Sequence, residues 1–67
     1  MYSLVGVNGN AYVIMGYTRR AMKNEGFEEN DIEQMMADAT SGDYDNLIRV
    51  CSSWIDAVNE KVGEEDD

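Results

Sequence analysis

Asp43-Tyr44-Asp45-Asn46 sets oxygen-bearing side chains close together, much as a calcium loop presents its first ligands. Such a loop also needs a glycine at its sixth position and a bidentate glutamate at its twelfth. Ile48 and Trp54 stand there, so the motif reads instead as an Asp43 cap opening a helix. Asn8-Gly9-Asn10 has the makings of an anion-binding nest, but no phosphate-loop lysine or second glycine pattern accompanies it. A turn leading into a helix cap accounts for it. Cys51 is the single cysteine, and the chain holds no histidine to take its proton. Without an activating base it is a poor nucleophile, and its place on an apolar helix face marks it as a core residue. One cysteine and no histidine also leave a zinc site short of ligands. Carboxylates are plentiful, but acid–base work needs a buried pair whose environments drive the two pKa values apart. Nothing marks such a pair. No catalytic residue, metal site or cofactor is assigned, and no enzymatic activity is expected.

Charge is the stronger signal. All fourteen acidic residues lie between Glu25 and Asp67, whereas Arg19, Arg20 and Lys23 sit together before them. Residues 1–24 therefore carry +3, and residues 25–67, with Arg49 and Lys61, carry −12, for a net −9. An acidic surface repels nucleic acid and membrane and attracts basic protein surfaces. The expected partner is a basic protein surface such as a nucleic-acid-binding channel, with no direct nucleic-acid contact. Glu28, Glu29, Asp31, Glu33, Asp38, Asp43 and Asp45 are the candidate contact residues. Arg19, Arg20 and Lys23 read as a solvated helix face paired with carboxylates of the same molecule. Met15, Met22, Met35 and Met36 recur at helical spacing and read as core filling rather than as an adaptable groove.

The elements that must position these groups are short. Tyr2–Val7 alternates like a strand and is rich in residues that suit a pleated surface. Beyond it, two readings compete. Asn8-Gly9 between apolar runs fits a hairpin with Ala11–Met15 as the returning strand. Asn10 as N-cap, with Ala11, Ile14, Met15, Thr18 and Met22 at three- and four-residue steps, fits a helix closed by Gly26, and this reading is favoured. A second helix is expected over about Asp31–Thr40, opened by an Asn30/Glu33 capping box and closed by a left-handed Gly42. The third and longest starts at Asp43. Its apolar face runs through Tyr44, Leu47, Ile48, Cys51, Trp54, Ile55, Val58 and Val62. Gly63 is expected to end it, leaving 64–67 as an acidic tail.

The expected fold is therefore mainly α: one domain over residues 1–63, with a short N-terminal strand followed by three helices. A 67-residue chain buries only about 60% of its unfolded surface and needs help from disulfides, metals or association. A lone strand also leaves amides and carbonyls unpaired. Both arguments predict a homodimer in which Leu4, Val5 and Val7 pair with their copies. No run approaches the ~20 apolar residues of a membrane span and no signal segment opens the chain. With a single cysteine, a cytoplasmic location is expected.

Leu4-Val5-Gly6, Asn8-Gly9-Asn10-Ala11-Tyr12 with Met15-Gly16, and Ala39-Thr40-Ser41-Gly42-Asp43-Tyr44-Asp45-Asn46-Leu47 together resemble a group of small bacterial and prophage-encoded proteins of uncharacterised function. In that group Asp often stands where Asn8 is, and Ser or Thr where Glu28 is; the acidic stretch after position 55 is less typical. The resemblance implies a helical fold and a mobile-element setting, and no reaction.

Two functions follow as expectations. One is a phage or mobile-element inhibitor, anti-CRISPR-like, whose carboxylates replace phosphates in the basic channel of a host defence protein. The alternative is a dimeric structural or assembly module whose acidity serves solubility.

Overall fold

The computed structural model describes the backbone of residues 1–65 and the side chains of residues 1–63. Among the described residues the chain forms three helices: α1 (Ala11–Asn24), α2 (Glu29–Ala39) and α3 (Tyr44–Glu65). Each packs on the other two. Their apolar stripes meet in one core made of Ile14, Met15, Ala21, Met22, Ile32, Met35, Ala39, Leu47, Cys51, Ile55 and Val58. Met15, Met22 and Met35 are core filling, as their spacing predicts. Trp54 is only half-buried and meets Phe27 edge-on, with ring centroids 6.2 Å apart. No helix among the described residues is long and apolar enough to cross a membrane.

Local chemistry explains the helix ends. Asn10 caps α1, its side chain accepting from the Tyr12 amide at 2.9 Å. At the other end Gly26 takes φ +82, letting the Phe27 amide reach the Met22 carbonyl and its own amide reach that of Lys23. This pair of bonds is a Schellman closure, and it decides for the helix over the hairpin. Asp43 caps α3 by accepting from the Asn46 amide at 3.0 Å.

Four expectations are corrected. The N-terminal strand does not form: among the described residues there is no strand. Gly6 sits at φ +84, outside the β region, and the Val7 amide closes a turn onto the Leu4 carbonyl at 3.1 Å. The backbone of Tyr2 finds its partner inside the chain, in the side-chain amide of Asn59. Tyr2 N–H donates to Asn59 Oδ1 and Asn59 Nδ2 donates to the Tyr2 carbonyl, both at 2.7 Å. One asparagine thus stands in for a neighbouring strand, which removes the reason for a strand-paired homodimer. Val5 is 91% exposed, while Leu4 and Val7 pack against the core of their own chain.

The start of α2 is the second correction. The Schellman turn delivers the chain to Glu28, whose carbonyl already accepts from Asp31 and Ile32. The helix begins at Glu29, so Asn30 and Glu33 lie inside it and form no capping box. Third, α2 ends at Ala39 with Thr40 as its cap, and Gly42 is not left-handed. A Cβ on Gly42 would lie 3.0 Å from Cβ of Asn46, so glycine is there for a close approach. That approach lets Asn46 Nδ2 donate to the Asp38 carbonyl at 2.9 Å, clamping the α2–α3 corner. Fourth, α3 runs through Gly63 to Glu65, and the remainder of the expected tail, residues 66–67, lies outside the described residues.

Candidate functional site

The candidate carboxylates are positioned by α2 and by the start of α3. Glu28, the N-cap residue of α2, leaves its side chain unused as a cap, and it is exposed together with Glu29. Asp31, in the same first turn, is half-buried. Glu29 and Asp31 lie where the positive end of the helix dipole favours negative charge. Glu33 is exposed midway. Asp38, Asp43 and Asp45, all exposed, gather at the α2–α3 corner. There Asp38 accepts from Gln34 Nε2 at 3.1 Å, and Asp43 is engaged by its cap.

Helical geometry sorts the four carboxylates within α2 into two flanks. Ile32, Met35 and Ala39 point into the core. Glu29 and Glu33, one turn apart, share one side of that stripe, whereas Asp31 and Asp38 line the other. Glu29 and Asp38 are also separated by about 13 Å along the axis, at ~1.5 Å per residue. Glu29, Glu33, Asp31 and Asp38 therefore straddle α2 rather than forming one patch. Among the described residues, no group of three or more His, Cys, Asp or Glu is placed to hold a metal ion.

Glu25 belongs to neither flank. It is half-buried and accepts from Tyr2 Oη at 2.8 Å. This hydrogen bond, with burial adding to it, holds the Tyr2 phenol above its ordinary 10.0. Cys51 is fully buried, and burial pushes its thiol above the ordinary 9.0 against a smaller opposing pull from Thr18. A buried neutral thiol lacks the thiolate that reactivity requires.

The opposite charge occupies the outer side of α1. Arg19, Arg20 and Lys23 are all exposed, and they border a shallow groove of about 540 Å³ whose walls include Val13 and Tyr17. Gly16 also lines it. Among the described residues a Cβ there would meet nothing within 4 Å, and its φ is not positive, so neither their packing nor the backbone conformation calls for glycine. In a helix interior glycine costs about 0.5–1 kcal/mol relative to alanine. Periodicity alone does not single Gly16 out; the signal is a mid-helix glycine on an exposed face. Comparison with protein-family models, with curated proteins and with solved structures finds no match for this chain.

Proposed function

We propose that the protein is a non-enzymatic acidic binding module that acts in the cytoplasm by docking on a basic surface of another protein. The observation that supports this most directly is the placement of Glu28, Glu29, Glu33, Asp38, Asp43 and Asp45 on solvent-facing positions of α2 and its ends. Asp31 adds a half-buried carboxylate beside them. In its finer form, the module is a phage or mobile-element inhibitor that enters the nucleic-acid channel of a host defence protein and substitutes carboxylates for phosphates. A CRISPR effector, whose heteroduplex channel is lined with positive charge, is one target of this kind. The two-flank arrangement favours a channel over a flat patch. A helix inserted between two basic walls contacts both with its sides, whereas a flat surface meets only one flank.

The test is capture of partners from host extract across a salt series. The bait is either the native chain or a variant combining Glu28→Lys, Glu29→Lys, Asp31→Lys and Asp45→Lys. Asp43 is left intact because its loss would open the start of α3. The native chain should retain a nucleic-acid-handling protein at physiological ionic strength and release it as salt rises and screening shortens below ~8 Å. Added nucleic acid should compete, and the variant should retain nothing. If both baits hold one partner through high salt, the acidity serves solubility and the assembly-module reading takes over.

A further inference from the structure

The chain carries two surfaces of opposite sign, and α1 presents the smaller one, its Arg19, Arg20 and Lys23 exposed among the described residues, in a groove bordered by Val7 of the N-terminal segment. Its groove combines three features that a solvated helix face does not require together. Arg19, Arg20 and Lys23 cluster without a carboxylate anywhere in residues 1–24. Val13 stays 44% exposed beside them. Gly16 weakens α1 and relieves no clash among the described residues. A mid-helix glycine that no described neighbour requires opens room for another backbone to approach from outside.

We infer that this groove receives the outer ridge of α2 from a second copy of the chain, in a head-to-tail contact. On α2, Glu29, Glu33 and Ala37 are exposed and recur every fourth residue, so they form one ridge of the kind that packs into a neighbouring helix's groove. The two glutamates face the cations, and the small Ala37 passes over the open backbone at Gly16. Pairing α1 with its own copy would set six cations against one another, so the contact joins unlike faces, α1 of one copy and α2 of the other. The net charge of −9 on each copy opposes association at long range. At physiological ionic strength that repulsion is screened beyond ~8 Å, while charges in direct contact still attract. The contact area of two short helix faces belongs with weak interfaces. Purified protein suffices to test the contact, so the outcome is independent of the target-binding proposal.

The experiment is sedimentation equilibrium up to millimolar protein, at physiological ionic strength and again near 1 M salt. The native chain should exceed its 7.5 kDa mass in the first condition and return to it in the second. A variant combining Arg20→Glu and Lys23→Glu should be monomeric, as should one combining Glu29→Lys and Glu33→Lys. An equimolar mixture of the two should associate again, because each then offers the charge the other lacks. Gly16→Ala should raise the melting temperature while weakening self-association at least several-fold. A native chain that stays monomeric throughout overturns the inference, as does a mixture of the variants that fails to restore association.

Discussion

The three helices bury Met22, Met35, Cys51 and Val58 completely, whereas residues 1–9 bury no side chain: Tyr2, Leu4 and Val7 are half-buried and the rest exposed. The two regions are held by different physics. The helical body is fixed by apolar surface shared among many residues, so each deletion removes a share of a collective term. The arm lays Tyr2, Leu4 and Val7 partly against that core and adds a few polar contacts at defined points. Asn59 grips the Tyr2 backbone twice, Tyr17 Oη accepts from the Ser3 amide at 3.0 Å, and Tyr44 Oη donates to the Gly9 carbonyl. The body should therefore respond to volume and the arm to single hydrogen-bonding groups.

Met22→Ala should have the largest effect. The side chain is fully buried between α1 and the other helices, and its carbonyl also anchors the Schellman turn. Truncation costs about 2–5 kcal/mol, depending on how far the core collapses into the space. That is comparable with the whole stability of many small domains, so chemical denaturation should show a large loss or no folded state. A loss below about 1 kcal/mol would mean the core is loose and the contrast with the arm unfounded.

Asn59→Ala should cost less and act locally. Two neutral hydrogen bonds are worth about 0.5–1.5 kcal/mol each, and the exposed parts of the arm regain water when released. Amide hydrogen exchange should accelerate at Tyr2 and Ser3 while the core amides of α3 keep their protection. Asn59→Asp replaces the donor facing the Tyr2 carbonyl with an acceptor and should release the arm at least as fully. Uniform loss of protection across the chain would show that the arm is part of the cooperative core.

These contrasts explain what is legible in the sequence. The body is readable because Leu47, Cys51, Ile55 and Val58 recur at helical steps and Asn10, Gly26 and Asp43 mark helix ends by local chemistry. The arm is not readable because its partners are single side chains far along the chain, Asn59 57 residues from Tyr2 and Tyr44 35 from Gly9, and no local pattern announces them. Alternation in Tyr2–Val7 mimics a strand, and Gly6 is the residue that breaks it. At the candidate site the exposure of the carboxylates follows from their type. The sides taken by Asp31, Glu33 and Asp38 follow from the apolar stripe of Ile32, Met35 and Ala39, but Glu29 joins its flank only because α2 starts there, a start the Schellman turn sets and the Asn30/Glu33 spacing misplaces.

That start is also where the body can be improved. Glu28 has φ −72 and ψ 155, a backbone suited to a capping residue, yet its side chain makes no cap hydrogen bond. Glu28→Asp shortens the side chain to a length that reaches the amides of α2 while keeping the charge. It should stabilise the fold by about 0.5–1 kcal/mol, read as a higher denaturation midpoint with an unchanged slope. Partner capture should be unaffected if charge alone matters at this position. No gain in stability would mean that the first turn of α2 is already satisfied by water.

The smallest expected effect separates arm from body by pH. Tyr2 Oη donates to Glu25, and this bond, helped by burial, raises the phenol above 10.0. A folded-state pKa above the unfolded one means that the protonated phenol binds the fold more tightly than the phenolate does. Its contribution is therefore fully present below pH 10 and is lost as pH rises through the folded-state value. Tyr2→Phe keeps the ring against Tyr17, where the two sit edge-on at 6.3 Å, and removes only the hydroxyl. The difference in melting temperature between native chain and variant should hold steady from neutral pH to about 9, then shrink as the phenol ionises. The other tyrosines titrate in both proteins and cancel in the difference. A difference that stays constant through pH 11 would show that the Tyr2–Glu25 bond contributes nothing to holding the arm, leaving Asn59, Tyr17 and Tyr44 as its polar anchors.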